Sequence, residues 1–506
     1  MQSAPPGAPD GALFLCPSGK PTTRCLTLAP WPGGAGPLKL RTSVQAKISK
    51  SAAFQTDAEN KAFDREHRRK IRFNIGKYDA AVATGMGYFH NHELARDRGA
   101  YLKAQVLEKL DEYLLAFEAA FTARGGRVVW ARDAAEALAE IGRLADERGA
   151  RTVVKAKSMT TEEIHVNQYL ASKGIESVET DLGEYIVQLN GERPYHIVTP
   201  AMHLSKADIN DIFVKHLGTE STDDAQQLVL TARHLLRDKY TAAEVGITGG
   251  NFLVAKEGGI AVTENEGNAR LSATFPKLHI AVVGIEKVIP QLTDLDLFWP
   301  LLSTSGTGQQ VTVYNTVYFG PRQPGEPDGP EEMVVILLDN GRTNLLAQPD
   351  KRAALRCIRC GACLNVCPVY KNIGGHTYET TYSGPIGSVI SPHLSGLPEH
   401  MHLSYASSLC GACTSVCPVR IPLHNLLLLN RQQAVREGHA PAAERAAIGM
   451  WRWSMQHRWA LNVLPGALKD WSLGRLLDQV GWSKRRAALA AAPLSFGQMW
   501  QDRKEV

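Results

Sequence analysis

An α/β domain, then a smaller, mostly helical cysteine-rich domain, then a helical C-terminal tail is the architecture this sequence predicts. Three observations predict it. Short β-branched runs alternate with helical stretches across residues 125–345, seven of the nine cysteines crowd into positions 357–417, and six of the nine tryptophans lie beyond residue 450. At 506 residues the chain has room for two or three domains, each able to bury an apolar core.

Residues 1–54 read as a disordered extension. They carry Pro5, Pro6, Pro9, Pro17, Pro21, Pro30, Pro32 and Pro37 and the stretch Gly33-Gly34-Ala35-Gly36, with little apolar periodicity. Cys16 and Cys25 lie here alone and read as incidental. From residue 55 to 345 the chain reads as an α/β domain with N-terminal helices. Tyr101, Val106, Leu110, Tyr113, Leu114, Phe117 and Phe121 recur at helical spacing and predict one long amphipathic helix before Gly125-Gly126. Strands are expected at Val128–Trp130, Thr152–Val154, Tyr185–Val187, His196–Val198, Phe252–Val254, Ile260–Val262, Ile280–Val283, Val311–Val313 and Val334–Leu338. Strands alternating with helices argue a largely parallel sheet. The Pro/Gly-rich stretch 320–330 reads as a surface loop within it. Residues 346–430 form the cysteine-rich domain, with short helices and loops because a metal takes the place of an apolar core. Residues 431–506 form the helical tail with Trp451, Trp453, Trp459, Trp471, Trp482 and Trp500. Trp with Arg there suits a docking or membrane-surface face, and aromatic packing over a small cofactor domain is the plainer expectation.

The cysteines carry the chemistry. Cys357-x2-Cys360-x2-Cys363-x3-Cys367-Pro368 is the bacterial ferredoxin run, whose thiolates hold cubic iron–sulfur clusters. A shorter run follows, Cys410-x2-Cys413-x3-Cys417-Pro418, with Ser407 where a first cysteine would stand. In two-cluster proteins the fourth cysteine of such a run ligates the other cluster. The expected assignment is therefore crossed. One 4Fe–4S cluster takes Cys357, Cys360, Cys363 and Cys417; a second takes Cys367, Cys410 and Cys413, its fourth site open or held by a group other than cysteine. Ser407, a water, a substrate, His402 or Tyr405 are candidates for that site, and a three-iron cluster is the further alternative. Gly361 and Gly411 let backbone N–H groups approach the sulfides, which raises a cluster's potential. Structural zinc also uses Cys-x2-Cys pairs, but the four-cysteine run ending in Pro is not its usual spacing.

The remaining features exclude rather than assign. A formal net charge of +5 with scattered basic residues gives no warrant for a nucleic-acid partner. No run is apolar enough for a transmembrane segment, which leaves only peripheral contact with a membrane to consider. No export signal is read, and cysteines in cluster spacing suit a reducing compartment, so the expectation is cytoplasmic. No haem attachment motif and no phosphate-binding loop occur. Gly85-Met86-Gly87 and Gly306-Thr307-Gly308 both lack the third glycine of a dinucleotide fingerprint. With no flavin, nicotinamide or haem site visible, two clusters make a relay between partners.

Longer motifs bring a resemblance. They are Lys155-Ala156-Lys157-Ser158-Met159 through Ile164, Glu179-Thr180-Asp181-Leu182-Gly183-Glu184 through Gln188, and His196-Ile197-Val198-Thr199-Pro200 through His203. Gly246 through Phe252, Glu264-Asn265-Glu266-Gly267-Asn268 and Cys357 through Tyr370 complete them. Over residues 55–495 the chain resembles the lactate-utilisation iron–sulfur protein family, the B component of the bacterial three-part L-lactate oxidation system. The resemblance implies a LUD domain similar to the sugar-phosphate isomerase and CoA-transferase fold, a two-cluster ferredoxin-like domain and a family-specific tail. It also implies two partner subunits, oxidation of L-lactate to pyruvate, and electrons passed to a respiratory acceptor at the inner face of the cell membrane. The seven-cysteine count is the family's own pattern. No catalytic residue is assigned. Two other readings stay open: a relay serving a glycolate or glycerol-phosphate dehydrogenase, and a CoA-transferase-like enzyme with structural clusters. For the latter, Glu264-Asn265-Glu266-Gly267 would carry the nucleophile, although a turn is the plainer reading. Lys155, Lys157, Glu179, Asp181, Glu184, His196 and His203 could line a pocket for an anion or be ordinary loop polar residues.

Overall fold

Four helices lead into the sheet: α1 (Lys50–Phe63), α2 (Arg65–Met86), α3 (His92–Glu108) and α4 (Leu110–Thr122). The computed structural model describes residues 49–457, 459, 475, 492–494 and 496–503. The extension to residue 48, with Cys16 and Cys25, lies outside them, as do Trp471 and Trp482. Helix α1 starts ahead of residue 55, with Ser49 as its N-cap accepting from the Ala52 N–H at 3.2 Å.

The long helix expected over 101–121 is two helices, broken at Lys109 (φ −132°). The apolar stripe continues across the break, since Val106, Leu110, Leu114, Phe117 and Phe121 share one core. Asp111 and Glu112 lie in the first turn after it, where acidic side chains favour a fresh N-terminus. Periodicity therefore located the buried face but not the break.

Ten strands follow among the described residues: β1 (Arg127–Ala131), β2 (Thr152–Lys155), β3 (Glu176–Glu179), β4 (Val245–Thr248), β5 (Phe252–Val254), β6 (Gly259–Glu264), β7 (Leu278–Gly284), β8 (Val288–Ile289), β9 (Tyr314–Tyr318) and β10 (Glu332–Leu338). Six of them form a wholly parallel sheet in the order β1-β10-β7-β4-β2-β3, as the alternation of strands and helices implied. A second, mixed sheet runs β8-β5-β6-β9. The central strands β7 and β10 are buried on both faces. Ala281, Val283, Val335 and Leu337 join the core on one side, and Ile280, Val282, Val334 and Ile336 the core on the other.

Three expected strands are corrected. Tyr185–Val187 lies in the helix Leu182–Leu189, whose N-cap Asp181 accepts from the Glu184 N–H at 3.0 Å. The cap overrides the β-propensity of the run. His196–Val198 is irregular, because the His196 ring turns back on its own loop and Nδ1 accepts from the Val198 N–H at 3.1 Å. Val311–Val313 is the approach to β9, held by the Val313 N–H donating to Asn265 at 3.1 Å. The strands β3, β4, β8 and β9 were not expected. The tail begins with helices Leu423–Arg436 and Ala442–Gln456. Among the described residues of the tail, Trp451, Trp453, Trp459 and Trp500 are all exposed rather than packed over the cysteine-rich domain.

The two Gly-x-Gly stretches form a helix crossing rather than a nucleotide loop. A Cβ on Gly85 would lie 2.4 Å from the Gly308 carbonyl oxygen, and one on Gly308 would lie 2.2 Å from the Ala81 carbonyl carbon. Helix α2 thus meets the end of helix Leu295–Thr307 backbone to backbone.

One buried histidine makes the sheet sensitive to acid. His279 on β7 is fully enclosed, shares a 2.7 Å hydrogen bond with Thr248 Oγ1, and has its pKa lowered by burial to about 3. The unfolded chain takes up this proton near the ordinary histidine value of about 6.5, whereas the folded chain does not. Stability is therefore complete above that value and is lost as pH falls below it, by at most about 1.4 kcal/mol per pH unit. In urea unfolding between pH 7.5 and 5.5, His279→Gln should lose stability less steeply than the parent chain. Parallel pH profiles would refute this account.

Candidate functional site

The two cysteine runs fold into matching loops. Arg359 and Leu409, each one residue before a Cys-Gly pair, take left-handed backbone conformations (φ 63° and 55°), which non-glycine residues seldom adopt. Gly361 and Gly411 follow at φ 82° and 79° and open the short helices Ala362–Val366 and Ala412–Val416. Cys367 and Cys417 end those helices in the same extended conformation, ψ 119° in both. Pro368 then starts the helix Pro368–Ile373.

The correspondence extends to Ser407. The Arg359 N–H donates to Cys357 Sγ at 3.4 Å, and the Leu409 N–H donates to Ser407 Oγ at 3.1 Å. The serine hydroxyl thus occupies the place in its loop that the thiol of Cys357 occupies in the other.

The thiols gather across the two runs, not within each. Cys357, Cys360, Cys363 and Cys417 line one small apolar cavity with Ile197, Ile358, Ile386 and Val419. None of the seven cysteines in the runs forms a disulfide. Burial raises the thiol pKa of Cys360, and the neighbouring sulfurs of Cys357 and Cys417 add to it. Cys417 is likewise pushed up to about 11 by burial, with Cys357 contributing. Cys413 goes to about 11, by burial and then by the charges of Cys367 and Cys410. Four thiols crowded in an apolar cavity are poor hosts for bare negative charge, and metal cations relieve that. The donor set therefore fits an iron–sulfur group. Cys410 is exposed, Cys357 is half-buried and the other five are buried, so the second group reaches solvent more openly than the first.

Residues far away in sequence hold these loops. Arg96 on α3 donates from Nε and Nη2 to the Cys417 carbonyl at 3.1 and 3.0 Å. Arg420 pairs with Glu93 at 2.6 Å and Asp97 at 2.8 Å on the same helix. On the other flank a buried ion network ties the first loop to the parallel sheet. Arg342 meets Glu163 through Nη1 and Nη2 at 2.9 and 2.8 Å and Glu286 through Nε at 2.6 Å. Arg359 reaches Glu286 at 3.3 Å and lies over the Tyr382 ring, whose hydroxyl donates to Glu163 at 2.6 Å. The two arginines hold the Glu286 carboxyl down at about 2 against its burial. Gly361 packs on the α/β part, since a Cβ there would lie 3.0 Å from Val198 and 3.3 Å from His196.

A larger crevice of about 260 Å³ opens between the sheet and the first loop, lined by Lys157, Ser158, Gly249, Glu266, Lys287 and Cys360 among others. Of the polar residues weighed from sequence, Lys157 and Asp181 line it, paired at 3.5 Å. Lys155 and Glu179 are buried outside that lining, with Lys155 at 2.7 Å from Glu179 and 3.1 Å from Glu162, and the buried Glu184 carboxyl beside them has no hydrogen-bond partner. His196 braces its own loop, and His203 pairs with Glu192 at 2.8 Å. Glu264 does line the crevice, but its carboxylate accepts the Ala269 and Arg270 N–H groups at 2.7 and 3.0 Å. That is the work of a turn and helix anchor, so its likeness to a nucleophile gains nothing. Lys287, Arg359, Glu286 and Arg342 were missed. The signal was present in Glu286-Lys287, a charged pair set in the apolar run Ile280–Ile289.

Comparison with known proteins agrees with this organisation. A LUD domain matches residues 114–338 and a 4Fe-4S dicluster domain residues 353–421. The chain is 42% identical to Lactate utilization protein B of Bacillus licheniformis, over 86% of this chain and 92% of that protein. It is 42% identical to the protein of the same name from Bacillus subtilis, over 79% and 87%. To that from Anoxybacillus flavithermus it is 48% identical, over 74% and 79%.

Proposed function

The chain belongs to the lactate utilization protein B family and is an iron–sulfur protein of lactate utilisation, and from that premise we propose that it is the electron-transfer subunit of a complex oxidising L-lactate to pyruvate. The observation that carries this reading is the exchange of cysteines between two matching loops. Cys357, Cys360, Cys363 and Cys417 would hold one 4Fe–4S cluster; Cys367, Cys410 and Cys413 would hold the second, with Ser407 at its fourth corner. Two such clusters supply a path for single electrons.

The chain's own residues shape that path. The enclosing residues Ile197, Ile358, Ile386 and Val419 keep water from the first site. Arg359 and Lys287 place positive charge near Cys357, offsetting the negative charge of a thiolate-bound group. The exposed Cys410 gives the second site a solvent edge, suited to exchange with a partner. Two partner subunits and a respiratory acceptor complete the proposal. Among the described residues no helix is long and apolar enough to cross a membrane, so the acceptor would be met from the protein's surface.

Deleting the gene should abolish growth on L-lactate and leave growth on pyruvate intact, with a plasmid copy restoring it. Undiminished growth on L-lactate, with a defect on glycolate or glycerol phosphate instead, would overturn lactate as the substrate and keep the relay.

A further inference from the structure

The order of the parallel sheet marks a place for a ligand. From β2 the chain moves outward to β3, whereas from β4 it moves the other way to β7. The loops leaving β2 and β4 therefore part, and a crevice opens beyond the carboxyl ends of these two paired strands. In open α/β sheets this switch point is where ligands bind. The 260 Å³ crevice is there, with Lys157 and Ser158 following β2 and Gly249 following β4. The parting is partial: the loops touch at Gly249, where a Cβ would lie 2.6 Å from Ser158 Oγ, and the crevice is lined by both.

A second, independent observation concerns Lys287, just beyond the end of β7. It is only 6% exposed and lines this crevice, yet its Nζ makes no hydrogen bond or ion pair with any described residue. Three other enclosed cations nearby are paired, and Arg359 reaches Glu286 through one Nη while its other Nη has no hydrogen-bond partner. Lys155 has Glu162 and Glu179, Arg342 has Glu163 and Glu286, and Lys103 donates to the carbonyls of Glu286 and Val288 at 2.5 and 3.0 Å. Glu286 and Cys357 are negative groups near it, but neither is bonded to it, and an enclosed ammonium group that faces a crevice without a hydrogen-bonded partner marks a place for an anion.

We infer that this crevice is the binding site for a small hydroxy-monocarboxylate, its carboxylate taken by Lys287 and its body lying between the β2 and β4 loops and the Arg359-Cys360 loop. Size and charge set the class. A space of 260 Å³ is below the range of drug-sized ligands and suits an acid of a few carbons. Asp181, Glu264 and Glu266 line the same crevice and oppose a phosphate or a dicarboxylate. Glu266 shares its surroundings with Asp181, and one oxygen already accepts the Leu182 N–H at 3.0 Å. These carboxyl groups are suited to accept a hydroxyl proton from the ligand. The crevice also contains Cys360, so a bound acid would lie beside the first thiol group.

The inference rests on the proposed function only for its choice of L-lactate as the first probe. Calorimetric titration of the full chain, purified anaerobically with its iron, should show saturable one-to-one binding of L-lactate or pyruvate, and much weaker binding of inorganic phosphate. Lys287→Met should weaken binding about tenfold or more, and Lys287→Arg should restore most of it, at unchanged iron content. On the unaltered protein, uncharged lactamide should fail to displace lactate, which tests the carboxylate without any substitution. Absence of saturable binding, equal binding by Lys287→Met, displacement by lactamide, or phosphate binding as tight as lactate would each overturn the site. The growth phenotype is a separate readout: its failure would remove the lactate pathway and leave the binding result standing.

Discussion

Cys417→Ser should remove the cluster of the first run and spare that of the second, although Cys417 belongs to the second run by sequence. Cys367→Ser should do the reverse. The basis is the cavity that Cys417 shares with Cys357, Cys360 and Cys363, and the grouping of Cys367 with Cys410 and Cys413. Iron and sulfide analysis with electron paramagnetic resonance of dithionite-reduced protein would show one of two signals lost in each variant. About half the iron should go with it, since each cubic cluster holds an equal share. Ser407→Cys should alter only the signal that survives Cys417→Ser. If Cys417→Ser and Cys413→Ser abolish the same signal, the crossed assignment is wrong.

Arg342→Ala should be the most damaging substitution outside the cysteines. It removes the partner of two carboxylates that are almost wholly enclosed, Glu163 and Glu286. Breaking a buried pair from one side costs about 3–5 kcal/mol, because the remaining charge has neither water nor counter-ion. Here Arg359 and Tyr382 still contact the stranded groups, which places the expected loss toward the lower end. Urea unfolding of the iron-loaded protein, followed by circular dichroism, would measure it. A loss below about 1 kcal/mol would mean the network contributes orientation rather than stability.

What could be read from the sequence divides along the range of the interactions. The gathering of Cys357, Cys360 and Cys363 in one cavity was legible because their spacing of a few residues keeps them together on one loop. The parallel sheet was legible because β7 and β10, buried on both faces, leave unbroken apolar runs. Strand β3 was missed since Glu176-Ser177 interrupts its pattern, and Tyr185–Val187 was misassigned since Asp181 and Glu184 outweigh β-branched propensity. Lys287 was invisible for another reason. Its significance is the absence of a hydrogen-bonded partner, and partners in this fold come from far along the chain, 179 positions between Glu163 and Arg342 and 327 between Glu93 and Arg420.

The sharing of one cavity by Cys357 and Cys417 bears on how the protein is made. A ribosome delivers Cys357, Cys360 and Cys363 well before it delivers Cys417, and the fourth thiol must be brought back across the stretch between to reach their cavity. During that interval the first site is a three-sided cup, exposed and open to oxidation. Closure of the first site is thereby tied to synthesis of both cysteine runs, and a product truncated before residue 417 would lack its fourth thiol.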